Sequence, residues 1–325
     1  MKTKVVYVVI SSDKDYYLEQ MWVSLFSLRH FQEVVKVEVV TDEETAQRIR
    51  SPKYRHVNDM LDSINAVTFE PSVPGVERSR RLKTNLRNYV TGDFLFLDTD
   101  TIISGSLEEI DSFNFDLGMV YSWHCKWIDR PDRDVLLKKM KYLFNVEPKA
   151  DTAFFNSGVI YCKDTKKCYD FFHKWHNNWL MTKDKPNGTR DQPSLMVTVD
   201  EIGGVHEMSG DYNCQPVYSM KYIATAKIVH FFNLKWANHE WSPFCTDVFY
   251  QDLRKDGYIS DKNKELILKC RSTFFAPTLC ILPKDISIWR SPSFRLLRNL
   301  NEKHTCFFEI VNFISKCFIK LGNII

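Results

Sequence analysis

The sequence predicts an α/β fold in which a mixed, mostly parallel sheet is flanked by helices and followed by a C-terminal helical tail. Three observations favour this fold. Short apolar runs alternate with segments of helical period, polar residues follow several of those runs, and the stretch FLFLDTDTII at 94–103 places two acids directly after a strand-like run. Strands that alternate with helices are typical of a largely parallel sheet.

The strand-like runs lie at 4–10, 35–40, 66–69, 94–97, 117–121 and 158–161. The first run is too short to be the apolar core of a signal peptide, so we expect it to form the first strand. Residues 18–31 predict a helix, because apolar residues recur there at steps of three and four. These residues are Leu18, Met21, Trp22, Leu25 and Leu28.

Polar residues follow the first, second and fourth runs, at 11–13, 41–42 and 98–100. In open α/β sheets, ligands bind at the carboxyl ends of the strands. We therefore expect these three segments to lie together at one edge of the sheet.

Asp98 and Asp100 stand two residues apart at the end of a run that reads as a strand buried on both faces. Side chains two residues apart on a strand share a side, so the two acids are expected to emerge together. Such a pair needs a positive partner. Mg²⁺ or Mn²⁺ suits it, because these ions favour oxygen ligands and are often held by carboxylates together with substrate phosphates. The alternative is a pair of capping or surface residues.

Composition narrows the function classes. The formal net charge is +3, and no block of basic residues interleaved with aromatics occurs in the first 250 residues, which argues against nucleic-acid binding. The nine cysteines include no C-x-x-C pair, so neither a disulfide framework nor a zinc site is indicated, and a reducing cytoplasm fits them best. No apolar segment reaches the roughly 20 residues of a membrane span.

Two unrelated chemistries place D-x-D after an apolar strand. Haloacid-dehalogenase-like phosphatases use D-x-D-x-T near the start of the chain, with the first aspartate as nucleophile. Here the fifth position is Ile102, and GDYNCQP at 210–216 does not complete the downstream G-D-x-x-x-D motif. The second chemistry is sugar transfer from a nucleotide diphosphate, in which a metal bridges the carboxylates and the diphosphate.

Four further segments favour the second chemistry. They are SSDKDYYLEQMWVSLFSLRH (11–30), FNSGVIYCKD (155–164), RDQPSL (190–195) and IVHFFNLKW (228–236). Together with the D-x-D strand, and in this order, they resemble the motifs of Rossmann-like GT-A fold glycosyltransferases, most closely those of the glycogenin and lipopolysaccharide galactosyltransferase family. The resemblance runs from about residue 4 to 241 and implies a retaining, metal-dependent transferase.

The resemblance also implies roles for individual residues. It assigns Mn²⁺ or Mg²⁺ to Asp98, Asp100 and His230. It assigns the nucleotide sugar to Ser11, Asp13, Tyr17, Thr99 and Lys235, with Tyr16 as an alternative to Tyr17. The alternatives are a helix N-cap at Asp13 and a hydrogen-bonded histidine at a strand end for His230.

In RSRRLKTNLRNY (78–89), helical spacing places Arg80, Lys83 and Arg87 on one face. The family carries a basic residue here that contacts the donor, and Arg80 and Lys83 fit best; a solvated basic face is the alternative. By the same resemblance, the catalytic residues near the donor sugar are Asn156, Asp191 and Gln192. For these, N-S-G could instead be a turn and D-Q a helix cap.

Two other segments stand out. HKWHNNW (173–179) places His173 and His176 on one helical face, but no third ligand is evident, so core packing or an interface is favoured over a metal site. Residues 289–325 are basic and amphipathic, and such a segment suits the interface of an anionic membrane. Docking of the C-terminal helix on the catalytic domain or a partner chain is the alternative.

The sequence thus predicts a GT-A catalytic domain at 1–250 and a C-terminal extension at 251–325. The expected activity is hexose transfer from a nucleotide diphosphate sugar, expected to be uridine-linked, to a glycan or lipid-linked acceptor at the cytoplasmic face of a membrane. Two alternatives stay open: a phosphatase that uses Asp98 as nucleophile, and a non-catalytic protein that binds sugar nucleotides or glycans.

Overall fold

The computed structural model describes residues 1–149, 151–232, 242–274, 285–289 and 291–322. The chain divides into two compact units, Met1–Phe275 and Ala276–Ile325. The first unit contains the sheets and the helices that cover them, and the second contains helices.

Seven strands form the main sheet of the first unit, in the order β3-β2-β1-β4-β7-β6-β8. β7 runs antiparallel to both of its neighbours, and the other six strands share one direction. The predicted mixed, mostly parallel sheet flanked by helices is therefore confirmed. The strands are β1 Lys4–Val8, β2 Val37–Asp42, β3 Ser63–Val67, β4 Phe94–Leu97, β5 Thr101–Ile103, β6 Leu117–Tyr121, β7 Phe155–Cys162, β8 His206–Glu207 and β9 Ile228–His230.

The first seven helices lie between these strands along the chain, and the last five follow β9. They are α1 Tyr17–Phe31, α2 Glu43–Ile49, α3 Arg55–Asn58, α4 Gly75–Thr84, α5 Arg133–Phe144, α6 Lys166–Leu180, α7 Asp191–Ile202, α8 Asp247–Asp256, α9 Asp261–Leu268, α10 Asp285–Trp289, α11 Pro292–Lys303 and α12 Thr305–Gly322.

Both faces of the main sheet are buried, which explains why its strands read as continuous apolar runs. In β1, Val5 and Tyr7 point into one core, whereas Val6 and Val8 point into the other. Residues from α1, α8 and α9 fill the first core, and residues from α4, α6 and α7 fill the second. Each fully buried valine or leucine contributes about 1.5–3 kcal/mol.

Two predicted helical patterns are confirmed. α1 begins at Tyr17 and buries the apolar residues that recur at steps of three and four, including Leu18 and Met21. In α6, Trp175 and Trp179 are fully buried, so the aromatic residues of HKWHNNW pack in the core as expected.

A second, two-stranded sheet determines the position of the site. β5 leaves the end of β4 after a short turn and pairs antiparallel with β9, with Thr101 opposite His230. β7 runs opposite to β4, with Val159 opposite Leu97. The start of β7 and the end of β9 therefore lie at the edge where β4 ends.

The first unit ends later than the boundary predicted near residue 250. Residues beyond 250 complete its core, because Leu253 and Ile267 are buried in the same cluster as α1. Arg254 also forms an ion pair with the buried Glu19 of α1, at 2.7 Å. The second unit contains α10 to α12, and the predicted helical tail is confirmed.

Among the described residues, no helix combines the length and apolarity that crossing a membrane requires. The eight described cysteines are all free.

Candidate active site

Asp98 and Asp100 lie at the carboxyl end of β4, beside a cleft of about 740 Å³. The backbone N–H of Asp98 donates to the carbonyl of Gly158 in β7, at 2.8 Å. The carbonyl of Asp100 accepts from the N–H of Phe231, at 2.9 Å. Both acids are thus fixed by neighbouring strands, and Thr99 between them also lines the cleft.

His230 is buried and directs its Nε2 at Asp100, with 3.1 Å between Nε2 and Oδ1. Its Nδ1 lies 3.1 Å from the Oδ1 of the buried Asn213. Since an amide oxygen only accepts, Nδ1 carries a proton in this arrangement. In a neutral ring, Nε2 would then carry a lone pair that faces the carboxylate of Asp100. These two groups repel each other unless a proton or a cation lies between them.

The donor set fits a small divalent cation. One ligand atom from each of Asp98, Asp100 and His230 lies within 4.8 Å of the others. Carboxylate and imidazole ligands suit Mn²⁺ and other first-row ions, whereas Mg²⁺ prefers oxygen. Small side-chain adjustments would bring the three ligand atoms around one ion, and the adjacent cleft leaves room for ligands from a substrate.

Lys83 is the present counter-ion of Asp98. Its Nζ lies 2.8 and 2.9 Å from the two carboxylate oxygens of Asp98. The same Nζ lies 3.5 Å from the Oδ2 of Asp191, at the start of α7. Lys83 is almost fully buried, so its charge is shared between two carboxylates that converge on it from different elements.

Arg80 approaches Asp191 from the preceding turn of α4. Its Nε lies 3.2 Å from the Asp191 Oδ1, without the direction of a hydrogen bond. Burial raises the pKa of the Asp191 carboxyl, but Arg80, Lys83 and the Ser157 hydroxyl outweigh burial and hold that pKa well below its usual value. For Asp100, burial also raises the pKa, and the attraction of His230 and Lys83 reverses the direction. Both acids are therefore ionised at neutral pH.

The N-S-G and D-Q motifs meet at this edge. Ser157 donates to the Asp191 Oδ2, at 2.8 Å. The side-chain amide of Gln192 donates to the carbonyl of Phe155. Asn156 accepts from Asn213 through its Oδ1, at 2.9 Å. The structure thus brings together Asn156, Asp191 and Gln192, and N-S-G belongs to β7 and not to a turn.

Gly158 and Asn213 are site residues that the sequence analysis did not identify. A Cβ on Gly158 would lie 2.1 Å from the His230 ring, so only glycine allows the imidazole to occupy this position. Asn213 links His230 to Asn156 and is fully buried. Asn213 lies within GDYNCQP, whose one recognisable pattern is an incomplete phosphatase motif, and no local pattern connects Asn213 to His230.

Replacing Asn213 by leucine is expected to weaken Mn²⁺ binding about 10- to 100-fold, because the partner that fixes a metal-binding histidine is lost. Isothermal titration of the chain with Mn²⁺ measures this change. Ser209→Ala, in the same segment but at an exposed 3₁₀-helix cap, is the control and should bind Mn²⁺ as the native chain does. Equal affinities for Asn213→Leu and the native chain would contradict the role given to Asn213.

Of the residues expected to bind the nucleotide, Ser11, Tyr17 and Thr99 line the cleft, together with Arg80. Asp13 does not line it: its side chain is largely exposed and pairs with Arg48, at 2.8 Å.

Asp15 lines the cleft instead. Its carboxylate accepts from the Ser11 hydroxyl, at 2.6 Å, and from the N–H of Ser12, at 2.7 Å. It also accepts from the N–H of Tyr17, at 3.3 Å, which makes Asp15, and not Asp13, the acid at the start of α1.

Two further predictions concern Arg87 in the basic segment 78–89 and Lys235 in the motif 228–236. Arg87 does not share a face with Arg80, because α4 ends at Thr84 and a 3₁₀ turn, Leu86–Asn88, follows. The Arg87 guanidinium is buried against the carbonyls of Val90 and Gly92. Lys235 lies outside the described residues.

No protein-family model matches the chain, and no curated protein matches it. Several solved glycosyltransferase structures are similar to it. A complex of the galactosyltransferase LgtC with donor and acceptor sugar analogues shows 13% identity and a TM-score of 0.49, over 88% of this chain and 99% of that one. The apo form of mouse xyloside xylosyltransferase 1 shows 12% identity and a TM-score of 0.47, over 71% and 97%.

The apo form of the glycosyltransferase GlyE from Streptococcus pneumoniae TIGR4 shows 14% identity and a TM-score of 0.47, over 87% of this chain and 67% of that one. None of these three TM-scores exceeds 0.49, and none of the identities exceeds 14%. At this level, the similarities assign neither a family nor an activity to this chain.

Proposed function

We propose that this chain is a metal-dependent glycosyltransferase of the GT-A fold. In this proposal it transfers a hexose, with retention, from a nucleotide diphosphate sugar, expected to be uridine-linked, to a glycan or glycolipid acceptor. The observation that carries the proposal is the convergence of Asp98, Asp100 and His230 at the end of β4, beside a cleft large enough for a nucleotide sugar.

Asp98, Asp100 and His230 would hold Mn²⁺ or Mg²⁺. The bound ion would supply positive charge to the donor diphosphate and so favour its departure. In the proposed reaction the bond between the anomeric carbon and the diphosphate oxygen breaks. The acceptor oxygen forms the new bond on the same face, and its proton passes to the leaving diphosphate.

The side chains near Asp191 would provide the remaining electrostatic stabilisation. Arg80 lines the cleft and carries a charge that suits phosphate oxygens. Asp191 is held ionised by two cations, and as an anion it would oppose positive charge at the anomeric carbon. Asn156 and Gln192 are already held by hydrogen bonds, so little reorganisation is needed when charge develops.

A thermal-shift panel of nucleotide sugars, with and without Mn²⁺, tests this function. We expect one uridine diphosphate sugar to raise the melting temperature only when Mn²⁺ is present, because a ligand that binds the native state stabilises it. The same samples are then assayed for release of the nucleotide diphosphate. No shift with any donor would contradict the proposal, and release of phosphate from simple phosphate esters would favour the phosphatase alternative.

The second unit supports a further part of the proposal, contact with the cytoplasmic face of a membrane through residues 289–325. In α12, Phe307 is 63% exposed to solvent, and Phe313 and Phe318 are each 69% exposed. Its exposed Lys316 and Lys320 add positive charge. Aromatic and basic residues on one amphipathic helix favour binding in the interface of an anionic bilayer.

Flotation with lipid vesicles tests membrane contact. The native chain is expected to float with vesicles that contain anionic lipid and to stay behind with neutral ones. The double variant Phe313→Ser, Phe318→Ser should lose most of this binding, because less apolar surface can be buried. Recovery of the native chain in the lipid-free fraction with both kinds of vesicle would contradict membrane contact.

A further inference from the structure

A row of aromatic side chains extends from the metal-site histidine. Phe232 stacks on the His230 ring, with 3.9 Å between centroids and 18° between planes. Tyr218 meets Phe232 at 5.3 Å and 64°, so the two rings form a corner. Trp123 stacks on Tyr218 at 4.5 Å and 18°. We define these three residues, Trp123, Tyr218 and Phe232, as the aromatic row.

The row is continuous with the cleft and is open to solvent in part. Phe232 lines the cleft together with Asp98, Thr99 and Asp100. Tyr218 is 39% exposed to solvent, although two aromatic neighbours contact it. The corner made by Tyr218 and Phe232 therefore adjoins the cleft through Phe232 and is partly exposed at Tyr218.

The backbone under the row adopts an unusual conformation. Trp123 and His124 have φ of +64° and +54°, a region that residues other than glycine rarely adopt. Two such residues in succession persist only where the surrounding structure holds them, and they occur often at ligand sites. The Trp123 ring is supported by the Arg130 guanidinium, 4.4 Å from its centroid.

Gln215 holds this turn in place. Its side-chain Oε1 accepts from the N–H of Trp123, at 3.0 Å, and its Nε2 donates to the carbonyl of Tyr121, at 3.0 Å. Its backbone N–H donates to the Nε2 of His124, at 2.9 Å. Burial lowers the pKa of His124 to about 4, so the ring is neutral and can accept this bond at neutral pH. A fully buried glutamine is thus used to present Trp123.

An aromatic corner beside a site for a sugar donor suits one class of ligand. One face of a pyranose ring is lined by C–H bonds, which are weakly positive, and aromatic ring faces are negative. The positively charged side chains that line the cleft, such as Arg80, suit the phosphates of the donor instead. Among the described residues, the two ring faces of the corner belong to the uncharged side chains of Tyr218 and Phe232, which favours a neutral sugar.

We propose that the corner of Tyr218 and Phe232, supported by Trp123 and held by Gln215, binds a pyranose ring of the acceptor. The inference rests on the proposed function and deepens it, since it names the acceptor as a pyranoside and places it against these rings. Tyr218 and Phe232 would touch the sugar, and Gln215 is a positioning residue.

Saturation-transfer NMR tests this inference. The full chain, saturated with UDP and Mg²⁺, is mixed with methyl α- and β-pyranosides of glucose, galactose and mannose. Saturation is expected to reach at least one pyranoside, and Tyr218→Ala should weaken its binding at least tenfold. Tyr218→Phe keeps the ring and should retain binding, and so should Tyr142→Ala, a control at an exposed tyrosine of α5.

A second readout does not depend on any variant. Replacing Mg²⁺ by Mn²⁺ should broaden the signals of the bound pyranoside in the native chain, because the corner adjoins the metal site. Absence of saturation transfer to all six pyranosides, or equal binding by native chain and a folded Tyr218→Ala, would overturn the inference. The thermal-shift panel tests donor binding separately. A chain that binds the donor but no pyranoside would therefore contradict this inference without contradicting the proposed function.

Discussion

Replacing Asp100 by asparagine is expected to reduce donor turnover by roughly a thousandfold, because a bound metal contributes several kcal/mol to such a reaction and each factor of ten corresponds to about 1.4 kcal/mol. Asp100 is the acid that His230 faces, at 3.1 Å, so its replacement removes one ligand and the charge that orients a second. Release of the nucleotide diphosphate from the donor selected by the thermal-shift panel measures the loss.

A matched control separates loss of the metal site from general damage. Asp170→Asn removes an exposed carboxylate of α6 whose only ion pair within the described part of the chain is with Lys166, at 2.6 Å. Exposed pairs of this kind contribute little to stability, so this variant should turn over the donor like the native chain. If Asp100→Asn retained activity while folded, the assignment of Asp100 to the metal would be wrong.

The second large effect is expected from Asp191→Asn. Arg80 and Lys83 both lie close to this carboxylate, and its loss leaves two cations with less compensation. Breaking a buried pair in this way destabilises a protein by about 3–5 kcal/mol. Loss of a preorganised charge beside the donor sugar should also lower kcat about 100- to 1,000-fold. Urea unfolding and steady-state kinetics measure the two effects.

The pH dependence of stability distinguishes the charge of Asp191 from its shape. The folded-state pKa of Asp191 is held below the unfolded value of about 3.9. The ionised Asp191 carboxylate therefore adds to the free energy of unfolding above about pH 4. This stabilisation is lost as the pH falls through the lower, folded-state pKa. Asp191→Asn should lose less stability than the native chain over that range. Ser157→Ala, which removes one of the interactions that lower the Asp191 pKa, should cost only about 1 kcal/mol and change the pH profile much less than Asp191→Asn does. Parallel acid-unfolding profiles for native chain and Asp191→Asn would contradict this account.

The local parts of the site could be predicted from the sequence because local pattern determines them. Four buried residues followed by D-x-D specify a strand that ends in two acids, and β4 ends at Leu97 as that pattern indicates. The helical period of 18–31 likewise predicted α1 to within one residue.

The remaining parts depend on contacts between distant segments. The ion pair of Lys83 with Asp98 requires α4 to pass over the end of β4, and the contact of Asn213 with His230 requires residues 213 and 230 to meet beside β7. Neither arrangement leaves a periodic signal. Helical spacing predicts that Arg87 shares a face with Arg80, but spacing alone does not show that α4 ends at Thr84.

The acid before α1 shows a finer limit. The sequence indicates Asp13, with a helix N-cap as its alternative role, but the N-cap of α1 is Tyr16 and no side chain caps it. Asp15 is selected in the structure because its carboxylate accepts from the N–H groups of Ser12 and Tyr17, which requires the turn to fold back on itself. Sequence spacing does not encode that turn.

The central claim is that a divalent cation binds between Asp98, Asp100 and His230 and holds the diphosphate of the donor. A crystal grown with Mn²⁺ and UDP, measured at a wavelength where manganese scatters anomalously, tests it directly. The account predicts an anomalous peak within coordination distance of all three residues, with phosphate oxygens completing the shell. Density for UDP in the cleft without such a peak, and with Lys83 still paired to both oxygens of Asp98, would contradict it.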